Sequence, residues 1–329
     1  MTTNGRALEL VSHKMKPNTP LISVIIPHLN QANSLAGCLD SLKCQTLERA
    51  AFEIIVVDNG STSLPQAVLE QHPETLLLLE SRPGPGMARN RGVDAARGDI
   101  LAFIDADCRA HPDWLDSALR MLNAAPARTI LGGDVQIWRE NRTAFSALEA
   151  YESVFAYRFK LYIEQHGFSG TGNLVLRKSD FDFIGPFRGI DVAEDIEWGQ
   201  RARAAGYTFR YTPEMVVFHP ARQTLRDLFV KWDRHIQHAV NAGTKTVLWR
   251  ARWTLRALAI AVSPLIDWTK VITSDRIQGA PARTKAILVL VAVRAYRAYR
   301  MISLLLSSKG VVWNRNSAIL NRDVHSDMI

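Results

Sequence analysis

Residues 100–107 read Ile100-Leu101-Ala102-Phe103-Ile104-Asp105-Ala106-Asp107. An unbroken apolar run of this length predicts a buried strand. The acids at its C-terminal end are one residue apart, so they point roughly the same way. In an open α/β sheet that end is the mouth where ligands bind. Paired carboxylates there are hard oxygen ligands, suited to Mg²⁺ or Mn²⁺ beside a diphosphate. A solvated strand-to-loop turn would use the same residues, since Asp is common in turns. The surrounding sequence decides between the two.

Outward from this strand, short apolar runs alternate with amphipathic stretches. Leu21–Ile26, Glu53–Val57, Thr75–Leu79 and Asp99–Ile104 are predicted as strands. Helical patterns lie between them near Ala32–Cys44, Pro65–Gln71 and Gly86–Ala96. This βαβ alternation predicts a doubly wound, mainly parallel α/β sheet flanked by helices. Further strand patterns fall at Ile130–Ile137, Asn173–Leu176, Tyr207–Tyr211 and Met215–Phe218, and a helical stretch with aromatics spans Ala144–Ile163.

After Arg222 the composition changes to helices rich in Trp, Leu, Ala and Arg. Between Lys245 and Arg300 the basic residues are Lys245, Arg250, Arg252, Arg256, Lys270, Arg276, Arg283, Lys285, Arg294, Arg297 and Arg300, and the only acidic ones are Asp267 and Asp275. They interrupt the apolar blocks Ala257–Ile266, Ala286–Val293 and Met301–Leu306, edged by Trp249, Trp253, Trp268, Tyr296 and Tyr299. Basic, aromatic-edged amphipathic helices suit an anchor lying in the plane of an anionic membrane surface. The competing reading is a packed helical subdomain with a solvated basic face. No stretch is long and apolar enough for an ordinary transmembrane helix.

The chain has 329 residues, 47% hydrophobic and 22% charged, with a net charge of +8. That suits one large enzyme domain plus an appendage. Basic charge alone would admit nucleic acid, anionic lipid or a phosphorylated substrate. No nucleic-acid-binding signature is present, so nucleic acid is not an expected partner. Cys38, Cys44 and Cys108 are odd in number, match no metal-ligand spacing and fit a reducing compartment. The polar N-terminus lacks the apolar core of a secretion signal.

The strand ends carry the chemistry. Leu21–Asn30 (LISVIIPHLN) ends in a turn at Pro27 and a polar Asn30, and Glu53–Ser63 (EIIVVDNGSTS) ends at Asp58 before Asn59-Gly60. Asp58 can accept from a base ring N–H or cap the next helix. Arg82–Gly92 (RPGPGMARNRG) combines Gly84 and Gly86, which allow close backbone approach, with Arg89 and Arg91, which can meet phosphate. It imitates a dinucleotide fingerprint. However, Arg89 occupies the third glycine position and the segment is not the first βα turn, which excludes that reading. Ser169–Arg177 (SGTGNLVLR) brings Asn173 into a strand. Gly185–Glu197 (GPFRGIDVAEDIE) places Glu194 and Asp195 at a helix start, where acids favour the helix dipole or serve as a general base. His219 follows the last strand pattern, where a structural role or metal ligation is possible.

The set and order of these pieces resemble the family 2 glycosyltransferases, an inverting family with the GT-A fold. The matching segments are PHLN ending at Asn30, VVDNGSTS at 56–63 and GMARNRG at 86–92. They continue with FIDAD at 103–107, GTGNLVLR at 170–177, IGPF at 184–187 and EDIEW at 194–198. The resemblance implies that Asp58 accepts from the base, Asn30 and Asn173 line the nucleotide-sugar site, and Arg89 lies near the diphosphate. Asp105 would approach ribose or metal. Asp107, with Asp105 and a late His219, would hold Mg²⁺ or Mn²⁺. Asp195 would be the catalytic base, supported by Glu194. Ser63 stands where the family often has Asp. Gln223 and Arg226 have the spacing of the processive QxxRW motif, but Asp227 replaces its Trp, which implies one sugar per encounter.

The expected organisation is a tail over 1–20, a GT-A nucleotide-sugar-binding and catalytic domain over 21–222, a helical, membrane-associated region over 223–308, and a tail over 309–329. The expected activity moves one sugar from a nucleotide-activated donor to an acceptor hydroxyl, lipid-linked or saccharide. The expected setting is polysaccharide or glycolipid assembly at the cytoplasmic face of a bacterial membrane, with peripheral attachment to anionic lipid. Two rivals are a sugar-1-phosphate nucleotidyltransferase and a catalytically silent nucleotide-sugar-binding protein. The former normally opens with a glycine- and arginine-rich loop where this chain has Pro27-His28-Leu29-Asn30.

Overall fold

A computed structural model describes residues 19–139, 141, 143–189, 193–242 and 248–306. It forms two compact units. One holds the chain through Gln136 together with Arg158–His219; the other holds Ile137–Tyr157 and the chain from Pro220 on.

Eight strands form one sheet: β1 (Ile22–His28), β2 (Phe52–Asp58), β3 (Thr75–Leu79), β4 (Ile100–Ile104), β5 (Arg109–Ala110), β6 (Thr129–Trp138), β7 (Asn173–Arg177) and β8 (Thr208–Pro220). Their order is β3-β2-β1-β4-β7-β6-β8-β5. The half β3-β2-β1-β4 is parallel throughout. Beyond β4 the strands β7 and β6 pair antiparallel in turn, and β5 pairs antiparallel with β8.

The alternation of side chains along β1 and β2 builds two cores. Ile22, Val24 and Ile26 join Ile54 and Val56 on one face, while Ile25 joins Ile55 and Val57 on the other. Helices α1 (Ala32–Lys43), α2 (Gln66–Glu70), α3 (Pro85–Ala95) and α4 (Trp114–Asn123) follow β1, β2, β3 and β5. The first face is covered by Leu35, Leu39 and Leu42 of α1 and by Trp114 and Leu115 of α4. The second is covered by Val93 of α3 and by Phe181 and Trp198. With helices on both faces, β1, β2 and β4 read as continuous apolar runs.

The remaining helices are α5 (Ala147–Phe155), α6 (Phe159–Leu161), α7 (Lys178–Ile184), α8 (Glu194–Ala204), α9 (Leu225–Ala242), α10 (Trp249–Val262), α11 (Pro264–Ile272) and α12 (Ala280–Leu306). In the second unit Leu148 and Tyr151 of α5 pack with Leu228, Val289, Leu290 and Val293. Ile236, Trp253, Ala257 and Met301 form another cluster. Asp233 binds Arg300 and Asp267 binds Arg294, each at 2.8 Å. No helix among the described residues is long and apolar enough to cross a membrane.

Three differences from the sequence reading have physical causes. Tyr207–Tyr211 and Met215–Phe218 are one strand, β8, running through Pro213. On the β5 side the pairing reaches only Val217 and Phe218, so the exposed Pro213 needs no donor there. The aromatic stretch Ala144–Ile163 is not one helix. It breaks between α5 and α6, where Tyr157 takes φ +47°. Helices α4 and α7 were not anticipated.

Candidate active site

The loops after β1, β2 and β3 are laced together by side chains. Register pairs His28 with Asp58 at the strand ends, and His28 Nδ1 lies 2.9 Å from Asp58 Oδ2. Asp58 Oδ1 accepts from the backbone N–H groups of Gly60 (3.1 Å) and Ser61 (2.9 Å). Burial pushes its carboxyl up, but the bonds from Ser61, His28 and Gly60 outweigh this and hold it below the ordinary aspartate range. Asn30, at φ +53°, donates its backbone N–H to Ser61 Oγ at 2.8 Å and accepts from Thr62 N at 2.9 Å. Asn59 Nδ2 donates to the carbonyls of Glu80 (3.0 Å) and Arg82 (2.7 Å), while its Oδ1 accepts from Gly84 N–H at 2.7 Å.

Gly84 caps α3, which carries Arg89 into the interior. Arg89 is 3% exposed. Its Nη2 donates to Asp105 Oδ1 at 2.6 Å and its Nη1 donates to Glu194 Oε1. The guanidinium is thus spent on two carboxylates. It ties the end of β4 to the start of α8. Gly86 permits that closeness, because a Cβ there would fall 2.5 Å from Glu194 Oε2.

Asp107 turns another way. The pairing of Arg109 with Phe218 brings the segment after β4 beside the end of β8, and His219 Nε2 lies 3.4 Å from Asp107 Oδ2. Burial raises the Asp107 carboxyl; His219 opposes this and Asp105 adds to it. Ligand atoms of Asp107, Cys108 and His219 lie within 4.8 Å of one another. Asp105 does not join this cluster; it faces Arg89.

Glu194 and Asp195 occupy the first turn of α8. Burial raises both carboxyls. For Asp195 the Ile196 N–H and Arg89 oppose it and Asp105 adds to it. Asp195 Oδ1 accepts from Ile196 N–H at 2.9 Å, and among the described residues Asp195 forms no ion pair. It is a carboxylate with raised basicity, and among the described residues its second oxygen has no hydrogen-bond partner.

Asn173 lies deeper in the sheet. It is wholly buried, donating to the carbonyls of Asp134 (2.9 Å) and Met215 (2.8 Å) and accepting from Trp114 Nε1 (2.9 Å). It bolts β7 to its neighbours. Sequence reasoning passed over His28, Asn59 and Cys108. His28 was visible in PHLN, and aligning the ends of two adjacent parallel strands would have set it against Asp58.

A divalent ion fits the Asp107 cluster by its donors. The Asp107 carboxylate suits Mn²⁺ or Mg²⁺, and the His219 imidazole favours the transition ion Mn²⁺ of the two. Burial holds the Cys108 thiol well above its usual range, so it stays protonated and ligates poorly.

Acids and an imidazole gather at the carboxyl ends of strands, where open α/β sheets bind ligands. Residues 23–196 match the model of Glycosyl transferase family 2, and the chain belongs to that family. It is 31% identical over 214 residues to glycosyltransferase AglE of Haloferax volcanii, covering 63% of this chain and 69% of AglE. It is 31% identical over 173 residues to the amylovoran biosynthesis glycosyltransferase AmsB of Erwinia amylovora, covering 48% of this chain and 56% of AmsB. Mannosyltransferase PcManGT from Pyrobaculum calidifontis, solved with GDP-Man and Mn²⁺, shares the fold: TM-score 0.52, 18% identity, 93% of this chain and 80% of that one. Family membership favours glycosyl transfer over the nucleotidyltransferase alternative.

Proposed function

We propose that this chain is an inverting, metal-dependent glycosyltransferase moving one sugar from a nucleotide-activated donor to an acceptor hydroxyl. The observation that carries this reading is the Arg89 bridge, which holds Asp105 and Glu194 beside Asp195. Asp58 would accept from the base and Asn30 would border it. Asp105, held by Arg89, would meet the ribose through its second oxygen. Asp107 and His219 would hold the metal, which supplies positive charge to the departing nucleoside diphosphate. Asp195 would take the acceptor proton as the hydroxyl attacks the anomeric carbon from the face opposite the leaving group. Arg89 and Glu194 are positioning residues.

The acceptor we infer is lipid-linked, in cell-surface polysaccharide or glycolipid assembly at the cytoplasmic face of a bacterial membrane. The name of AmsB supports a polysaccharide setting. Support for a peripheral membrane position comes from the large apolar side chains that α10, α11 and α12 leave exposed. They include Leu255, Leu258, Val262, Leu265, Ile266 and Leu288.

The test is a panel of GDP-, UDP- and dTDP-sugars with Mn²⁺, read by thermal stabilisation and donor hydrolysis. One donor should stabilise and be hydrolysed, and Asp107→Ala should lose both responses. Stabilisation without turnover under any acceptor would leave a silent binding protein, and no response to any donor would reject the reading.

A further inference from the structure

The helical unit contains a half-open cavity of about 250 Å³ between α9, α10 and α12. Trp232, His235, Trp253, Arg256, Arg297 and Met301 are among its walls. No described carboxylate lines it. Arg297 stacks its guanidinium 3.6 Å from the centre of the Trp232 ring, and its Nε is enclosed without a hydrogen-bond partner. Arg256 lies 5.8 Å from the Trp253 ring centre. The acids of the surrounding helices are engaged elsewhere. Asp233 binds Tyr296 and Arg300, Asp267 binds Lys270 and Arg294, and Asp227 accepts from Thr224.

Arg297 is half-buried, no described carboxylate bonds to it, and Asp267, which acts on it from a distance, is held by Lys270 and Arg294, so its charge is poorly compensated. Burial, with Arg294 and Arg256 nearby, pulls the Arg297 pKa down to about 10. An anion entering the cavity would relieve this. Guanidinium groups match phosphate oxygens in fork geometry, and the indole faces accept apolar carbon. We propose that this cavity binds a phosphate ester with an apolar tail, the phosphate on Arg256 and Arg297 and the tail against Trp232, Trp253 and Met301. The tail's source rests on the membrane reading above; the phosphate contact does not.

Calorimetry on the full chain, with indole fluorescence as a second readout, compares octyl phosphate, inorganic phosphate and octanol. Octyl phosphate should bind saturably and more tightly than either. Arg297→Met and Arg256→Gln should each weaken it at least tenfold, while Arg252→Gln, an exposed cation on α10, should not. Removing a poorly compensated charge should leave the ligand-free Arg297→Met melting at or above wild type. If that variant melts lower, Arg256→Gln decides. Equal binding of inorganic phosphate would assign the site to free phosphate and overturn the tail. Equal binding of octanol, or wild-type affinity in the variants, would overturn the site. Flotation on phosphatidylglycerol vesicles separates the two claims. Wild type that binds octyl phosphate but does not float keeps the phosphate site and defeats the membrane reading.

Discussion

Arg89 Nη2 and Asp105 Oδ1 stand 2.6 Å apart, joining the helix after β3 to the end of β4. The same guanidinium holds Glu194, whose neighbour Asp195 is the candidate base. One buried cation therefore fixes the spacing between Asp105 and the acids that open α8.

Replacing Arg89 with Met should strand both carboxylates. Breaking a buried pair costs about 3–5 kcal/mol. Asp105 is 37% exposed and can turn to water, so the expected loss is about 3 kcal/mol. Urea denaturation of the variant measures it. Stability within 1 kcal/mol of wild type would mean the bridge is incidental.

Asp107→Ala should abolish metal-dependent binding of the nucleoside diphosphate and cost several kcal/mol in the barrier. Titration calorimetry with Mn²⁺ and GDP or UDP reads this directly. Unchanged affinity in the variant would remove Asp107 from the metal site.

Asp195→Asn should leave donor binding intact and cut turnover about 10²- to 10⁴-fold. It should also stabilise the fold at neutral pH. The folded state raises this carboxyl above its ordinary value of about 3.9, so its favourable contribution is present below that pH and is lost as pH rises through the folded value. Above that value the charged form is the unfavourable one, and Asn removes it. A melting temperature above wild type at pH 7 and equal to it near pH 3 is the expected pattern. For the same reason the acid limb of the activity profile should lie above the range of a free aspartate.

Asn173→Ala should behave as a stability variant. It leaves Trp114 Nε1 and the carbonyls of Asp134 and Met215 without a buried partner, at about 3–5 kcal/mol in all. Donor affinity, measured on the folded fraction at low temperature, should stay within twofold. A selective loss of donor affinity would place Asn173 at the sugar site.

Leu265→Glu with Ile266→Glu should abolish flotation with anionic vesicles and leave the folded state unchanged, because both side chains are exposed, at 78% and 72%. Undiminished flotation would exclude this face as the membrane contact.

The parallel half of the sheet was legible because buried strands covered on both faces write themselves as continuous apolar runs, Ile100–Ile104 being the clearest. The antiparallel half was harder. β5 has two residues, and Pro213 inside β8 imitates a break. Helix α4 was missed because its apolar positions, Trp114, Leu115, Ala118 and Leu122, sit among polar turn-like neighbours. Within the site, types and order were readable but directions were not. Asp105 and Asp107 point alike only if the strand continues past Ile104, and it does not. The chain turns there, sending one acid to Arg89 and the other to His219. The burial of Asn173 was not legible for a related reason: a polar residue opening a strand looks the same in sequence whether it is exposed or buried.

Asn59 makes the loops after β2 and β3 a single unit for grafting. Its amide closes two carbonyls after β3 and accepts the Gly84 amide that opens α3. A transplanted β2 loop without that amide would leave Glu80, Arg82 and Gly84 to water and loosen the start of the helix that carries Arg89. The smallest portable cassette is therefore a pair, Asp58–Ser63 with Glu80–Gly86. A chimera exchanging the first segment alone should lose turnover.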